Sequence, residues 1–379
     1  MAAVDVRPVA DRAGFAGFIE AARAGQAGNP LWVEPLREEI RQKFDLKKSP
    51  YRLDNLIQPF VAWRDGAPVG RIAAIVDSVH QAKYGDSCGF FGFIEGIDDA
   101  EVFAALFAAA EEFLRTQGMK TIRGPFNFNV NGECGLLVSG FDQPHVVDTN
   151  HAPPYYAQRV EACGYAKAMD LIALTGKVAD AEPSERIPRE IARAKAPTVE
   201  IENGAYLTFA RDLRRFIAVY NEAWADNAYA APIGDAEVMF LAQMMLPLVK
   251  PSWFSIATYQ GEDVAIIGQI PDINEALRGL NGRLAPFGFL KLFWRVHVAG
   301  TRRSRVLLAG VRPKFRDTIV GRSAIASLMA KAVADARRAG VEEVEYSWLL
   351  ETNIAAIRPL QRMLRARETR RFRLYEKAL

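Results

Sequence analysis

Cysteine is scarce: three residues in 379, at positions 88, 134 and 163. The number is odd and the spacing too wide for a zinc site, so neither a disulfide framework nor a bound metal is expected, and a reducing compartment fits. No uninterrupted apolar run reaches the roughly 18 residues of a membrane span. The opening MAAVDVRPVADR lacks the cationic stretch and apolar core of a secretory leader. A cytoplasmic location is expected, with peripheral contact to the inner membrane left open. Also missing is any legible Ser-His-Asp or Cys-His pairing.

Half of the residues are apolar and a quarter are charged, the balance of a folded protein. The length exceeds what one core usually supports, so two domains are expected. The net charge of +3 hides an asymmetry: before residue 198 there are 22 Lys and Arg against 26 Asp and Glu, and after it 26 against 19. Eight of the late cations, Arg295, Arg302, Arg303, Arg305, Arg312, Lys314, Arg316 and Arg322, share a window whose only acid is Asp317. Such a patch suits phosphate, or is a solvated basic face. It contains no nucleic-acid reading motif, and no nucleic-acid partner is expected.

The chain reads as a duplication, with a first domain over 1–180, a charged linker at 181–198 and a second domain over 199–379. PFVAWRDGAPVGRIAAIVD and WFSIATYQGEDVAIIGQI each read as a hairpin, turning at Asp65-Gly66 and Gly261-Glu262. A long helix closes at Gly118 in one copy and at Gly340 in the other. Strand, helix and terminal strand follow in both, which makes each copy a mixed α/β unit. Gly66 and Gly261 are 195 positions apart but Gly118 and Gly340 are 222 apart, so the second copy has 27 extra residues between hairpin and helix. The first copy carries its own insertion, at about 126–152. Insertions on a duplicated scaffold are where specific function is expected.

After the strand RVLLAGV, the turn RPKFRDTIVGRS leads into a helix, so backbone N–H groups and a helix N-terminus converge with four cations on one spot. This stretch resembles the pyrophosphate loop of GNAT acyltransferases, V-x-P-x-Y/F-R-x-x-G-x-G. Val311, Pro313, Phe315, Arg316 and Gly321 match, while Ile319 stands where the first glycine belongs. The resemblance implies tandem GNAT-like domains, coenzyme A as the carrier of the acyl donor, and a contact set of Gly310, Val311, Arg312, Arg316, Ile319, Val320, Gly321, Arg322 and Ser323. It also implies that the strand EYSWLLETN parts from its neighbour, with Tyr346, Ser347 and Trp348 along the gap. Asn353 either contacts the cofactor arm or caps the next helix. The first copy has acidic Asp98, Asp99 and Glu101 at the matching place, which would repel a pyrophosphate.

Taken together, YNEAWADN, PDINEALRGLNGRLAPFGFLKLFWR, SWLLETN, GPFNFNVNGECGLLVSGFD and NHAPPYY resemble the bacterial ceramide synthase family across nearly the whole chain. That resemblance implies transfer of a long-chain acyl group from acyl-CoA to the amine of a sphingoid base. Two alternatives are acyl transfer to an amino acid, peptide or cell-wall amine, and a non-catalytic module binding acyl-CoA or lipid. Candidates for proton handling are His151, whose imidazole has an unperturbed pKa near neutrality, with Glu133 and Tyr346. Asn129 and Asn131 are candidates for the acceptor's head group or for turn formation, and Tyr155 and Tyr156 for acceptor binding or packing. In LAPFGFLKLFWRV, Phe287, Phe289 and Trp294 belong to a helix that dips into a bilayer surface, lines an acyl tunnel or is ordinary core.

Overall fold

The structure, a computed structural model, describes residues 2–53, 55–181 and 197–379. Two compact units cut across the linear halves. Unit 1 holds Met1–Leu171, Gly279–Arg283 and Arg370–Leu379, and unit 2 holds Ile172–Arg278 and Leu284–Thr369. The expected boundaries follow chain order; the observed ones differ because the last strand of each half contributes to two units. Residues 182–196, most of the expected linker, lie outside the described residues.

In unit 1, β1 (Asp5–Pro8), α1 (Arg12–Gly25), α2 (Arg37–Lys43) and α3 (Pro50–Leu53) precede the hairpin of β2 (Leu56–Arg64) and β3 (Ala67–Val76). Asp65 and Gly66 turn it with φ of 51° and 77°, the left-handed pair that a two-residue hairpin turn requires. Then come α4 (Ser78–Tyr84), β4 (Cys88–Gly96), α5 (Ala100–Thr116), β5 (Thr121–Gly124), β6 (Leu136–Ser139), α6 (Tyr155–Ala162) and β7 (Ala166–Lys177), which runs on into unit 2. The Asp99 carboxylate caps α5 by accepting from the Glu101 N–H. Val102, Phe103, Leu106, Phe107, Ala110 and Leu114, three or four apart, are all buried, and the helix lies against β2 and β3.

Unit 2 repeats the order with β8 (Glu200–Asn203), α7 (Phe209–Ala223), α8 (Asp235–Met245), and the hairpin of β9 (Phe254–Tyr259) and β10 (Glu262–Pro271). Its turn falls at Gln260-Gly261, one residue earlier than expected, because these two carry the positive φ values of 52° and 78°. The extra residues of this copy form α9 (Ile273–Leu277), α10 (Gly288–Trp294) and a π-turn, Arg295–Ala299. β11 (Arg303–Val311), α11 (Ile319–Arg338), β12 (Glu343–Leu350), α12 (Ile354–Met363) and β13 (Arg367–Ala378) follow. Ala324, Leu328, Val333 and Ala336 of α11 share one core with Val264, Ile267, Val306 and Val344. From Arg370 onward β13 belongs to unit 1, where Tyr375 pairs with Gly124 of β5.

Candidate functional site

β11 is held on one side by β10 as far as Val311, opposite Ala265. On its other side it runs parallel to β12, but that ladder extends only from Arg303 opposite Glu343 to Val306 opposite Tyr346. Residues 307–311 and 347–350 continue without it. Exposure changes at the same point. Ser304–Val306 and Val344–Ser347 are buried, whereas Leu307–Val311 and Trp348–Leu350 are half-buried or exposed. The sheet therefore opens along a wedge bordered by the residues named from the sequence. Tyr346 sits at its apex inside the core, and burial keeps its phenol protonated far above neutrality, so it is an O–H donor and no base.

Beside Tyr346 lies a network the sequence reading missed. Arg305 donates from Nε to Ser347 Oγ at 2.9 Å, and its guanidinium stacks 4.5 Å from the Trp348 ring. Ser347 Oγ in turn donates to Glu345 Oε1 at 2.6 Å. All three polar residues are buried. Their alternation with apolar Val306, Val344 and Tyr346 was the available signal.

At the mouth of the wedge the turn 312–318 leads into α11, whose N-cap Thr318 accepts from the Gly321 N–H at 3.1 Å. Gly321 is required by close approach: a Cβ there would lie 2.0 Å from the Phe315 carbonyl oxygen. Gly310 lets the Trp224 ring lie on the strand, since its Cβ would fall 2.2 Å from that ring. Val311 closes the ladder with β10, Val320 is half-buried, and Ile319 opens the helix with its side chain exposed. The cations are less available than the sequence implies. Arg312 pairs with Glu222 at 3.2 Å and Glu262 at 3.4 Å, and Lys314 pairs with Glu262. Arg316 donates to the Ala223 carbonyl at 2.8 Å and Arg322 to that of Asp317 at 3.2 Å. Ser323 is buried and donates to the Pro197 carbonyl at 3.3 Å, which takes its hydroxyl out of the expected contact set. Asn353 caps α12 by accepting from the Ala356 N–H at 3.2 Å, the capping alternative.

In unit 1 the matching strands β4 and β5 pair from Cys88 to Phe90 only, yet the opening is filled. The Phe126 N–H donates to the Phe91 carbonyl at 2.8 Å, and the Phe93 N–H to Asn127 Oδ1 at 2.7 Å. Gly92 has the Phe126 carbonyl 2.0 Å from where a Cβ would be. Asp99 is bound to Arg64 at 2.7 Å. The inserted chain thus occupies here the space that is open in unit 2.

The acid–base groups of unit 1 form a cluster that reorders the candidates. Asn29 donates to His151 Nδ1 at 2.9 Å, and burial lowers the imidazole pKa to about 4, leaving it neutral and weakly basic. Glu133 accepts from Asn127 at 2.6 Å; burial raises its pKa while Lys43 opposes the shift. Tyr156 donates to Glu95 Oε2 at 2.6 Å, Gln26 donates to the same oxygen at 3.0 Å, and burial raises Glu95 to about 7 against the pull of Arg71. Glu95 is thus the group poised near neutrality, and its signal was one acid in the apolar strand CGFFGFIEG. Tyr155 donates to the Gly96 carbonyl at 2.7 Å, so both tyrosines are bound within this cluster. Asn129 accepts from the Asn131 N–H at 3.0 Å, the turn-forming alternative.

Linkage gives the cluster a pH signature. Between 4.5 and about 7 the folded chain binds the Glu95 proton more tightly than the unfolded chain, so Glu95 contributes less stability as pH rises, by about 3 kcal/mol in all. His151, with its lowered pKa, acts in the opposite sense over much of the same window, which flattens the wild-type curve. The difference is therefore the informative quantity. Glu95→Gln should gain about 3 kcal/mol on wild type between pH 4.5 and pH 8 in urea unfolding. A constant difference would mean that Glu95 titrates normally.

Phe287, Phe289 and Trp294 are exposed on unit 2, which rules out the core alternative for them. A scan against family models found no match. The chain is 38% identical over 355 residues to Protein YghO of Escherichia coli (strain K12), covering 93% of this chain and 89% of that protein. It is 36% identical over 380 residues to the bacterial ceramide synthase of Caulobacter vibrioides, covering 99% and 98%. Among solved structures, a tandem GNAT protein from the clavulanic acid biosynthesis pathway superposes with a TM-score of 0.59 at 12% identity, over 99% of this chain and 98% of that one. A GCN5-related N-acetyltransferase from Sphaerobacter thermophilus gives 0.54 at 12% identity, over 99% and 95%. At such identity the structural likeness speaks for the fold: two tandem GNAT-like domains with mixed sheets.

Proposed function

The chain belongs to the bacterial ceramide synthase family of tandem GNAT acyltransferases, and from that premise we propose that it moves a long-chain acyl group from acyl-CoA onto the amine of a sphingoid base, 3-ketosphinganine or sphinganine. One observation carries the reading: the wedge between β11 and β12, open in unit 2 while its counterpart in unit 1 is filled. The amide-bearing arm of coenzyme A is a linear ligand of the kind that can lie along such a parting.

The residues fit such a donor at the loop as well. The N–H groups of Ile319 and Val320 at the start of α11 would meet the pyrophosphate, helped by the exposed Arg316 and Arg322. Arg312 and Lys314 reach it only by leaving their glutamates. Bound acyl-CoA supplies the activated thioester, and the protein's task is to position it and to accept the proton that the attacking amine gives up. Both substrates carry long alkyl chains, which favours a reaction at a membrane surface over one in bulk water.

Purified protein mixed with palmitoyl-CoA and a panel of amines tests the reading through free thiol release and product mass. Release is expected with sphinganine or 3-ketosphinganine and not with amino acids or peptides. Release only with the latter would reassign the acceptor, and coenzyme A binding without release for any amine would leave a binding module.

A further inference from the structure

We propose that the face formed by α10 and the π-turn after it docks flat onto an anionic lipid bilayer. Phe287, Phe289, Leu290, Phe293, Trp294 and Val298 are 53% to 73% exposed. Monomeric proteins rarely show so many large apolar side chains together without a partner for them. The segment is also firmly seated. Leu292 and Val296 are buried beneath it. Arg295 donates from Nη1 to the carbonyls of Ala276 and Arg278, both at 2.8 Å, and His297 Nε2 lies 2.8 Å from the Pro247 carbonyl. The apolar side chains are therefore held outward by a fixed base.

Charge selects the occupant. Lys291 is exposed among the aromatics, Arg278 is exposed at the end of α9, and the sequence from Ala276 to Arg316 has no Asp or Glu. A second copy would meet this face with the same cations, since a two-fold contact presents identical patches to one another. Anionic headgroups instead neutralise them while the rings enter the acyl boundary and Trp294 settles at headgroup level. Among the described residues no helix is long and apolar enough to cross a membrane, so the segment lies in the surface plane. The inference rests on the acyl-transfer reading for its purpose, because the long-chain amine of that reaction partitions into bilayers.

The test is co-sedimentation of the full chain with sucrose-loaded vesicles of phosphatidylcholine, alone or mixed with phosphatidylglycerol, in the absence of acyl-CoA. Coenzyme A binding is measured separately by calorimetry. Wild type is expected to pellet with the mixed vesicles and at least tenfold less with the neutral ones. Phe289→Glu with Phe293→Glu should lower the partition roughly a hundredfold, and Lys291→Glu roughly fivefold on mixed vesicles. Both variants change exposed positions and should keep wild-type coenzyme A affinity. The proposal is overturned if wild type ignores both vesicles, if it binds neutral vesicles equally well, or if the double variant still pellets. It is equally overturned if the double variant only turns a dimer into a monomer. Vesicle binding with no affinity for coenzyme A would sink the acyl-transfer reading and leave the docking face standing.

Discussion

Gly321→Ala lowers coenzyme A affinity a hundredfold or more, read by calorimetry, with the circular dichroism of the folded chain unchanged. The added Cβ would meet the Phe315 carbonyl oxygen at 2.0 Å and its carbon at 2.8 Å, with Val311 Cγ1 at 3.1 Å. The first two are backbone atoms, and no rotamer change relieves them. Either the turn at 313–315 moves outward or the first turn of α11 does, and the latter carries the Ile319 and Val320 N–H groups proposed to meet the pyrophosphate. Overpacking of this kind costs about 1–3 kcal/mol before any loss of alignment is added. Ile319→Gly is the companion measurement. That residue is 42% exposed, and removing its side chain should leave affinity equal or better. Unchanged binding in Gly321→Ala would mean that the loop does not hold the donor.

Arg305→Met destabilises the protein by about 3–5 kcal/mol in chemical unfolding, as expected when one member of a buried charge network is removed. Arg305 is 2% exposed and Glu345 faces it across the parallel ladder. Methionine keeps much of the volume but takes away the buried cation that lies across the ladder from Glu345. The double variant with Glu345→Gln should recover a large part of the loss, because the stranded charge goes with it. Ser347→Ala should cost less, about 1–2 kcal/mol. A loss below about 1 kcal/mol for Arg305→Met would place the network outside the cooperative core.

Local order was legible in the chain, and partnership was not. The Asp65-Gly66 turn, the α5 stripe and the glycines after α5 and α11 declare themselves within a few residues. Nothing local says that residues 370–379 complete unit 1, since pairing depends on strands more than two hundred positions away. The same divide runs through the site. The loop from Val311 to Gly321 is contiguous, so its motif could be matched. The Glu95 cluster draws Gln26, Arg71 and Tyr156 from three other segments, and an argument from unperturbed pKa values selected His151, the group that burial makes less basic. For the Leu284–Val296 stretch, apolar residues on every side of a helix look alike whether it is interior or surface. Only the exposure of the six large side chains decides between them.

The placement of residues 370–379 has a further consequence for biosynthesis. Phe372, Leu374 and Tyr375 are buried within the unit whose first strand begins at Asp5. A ribosome has therefore made the middle portion in full before the stretch that seals the opening portion emerges. Until then the early half waits with an unpaired strand edge at β5, and a nascent chain in that state is a natural client for chaperones.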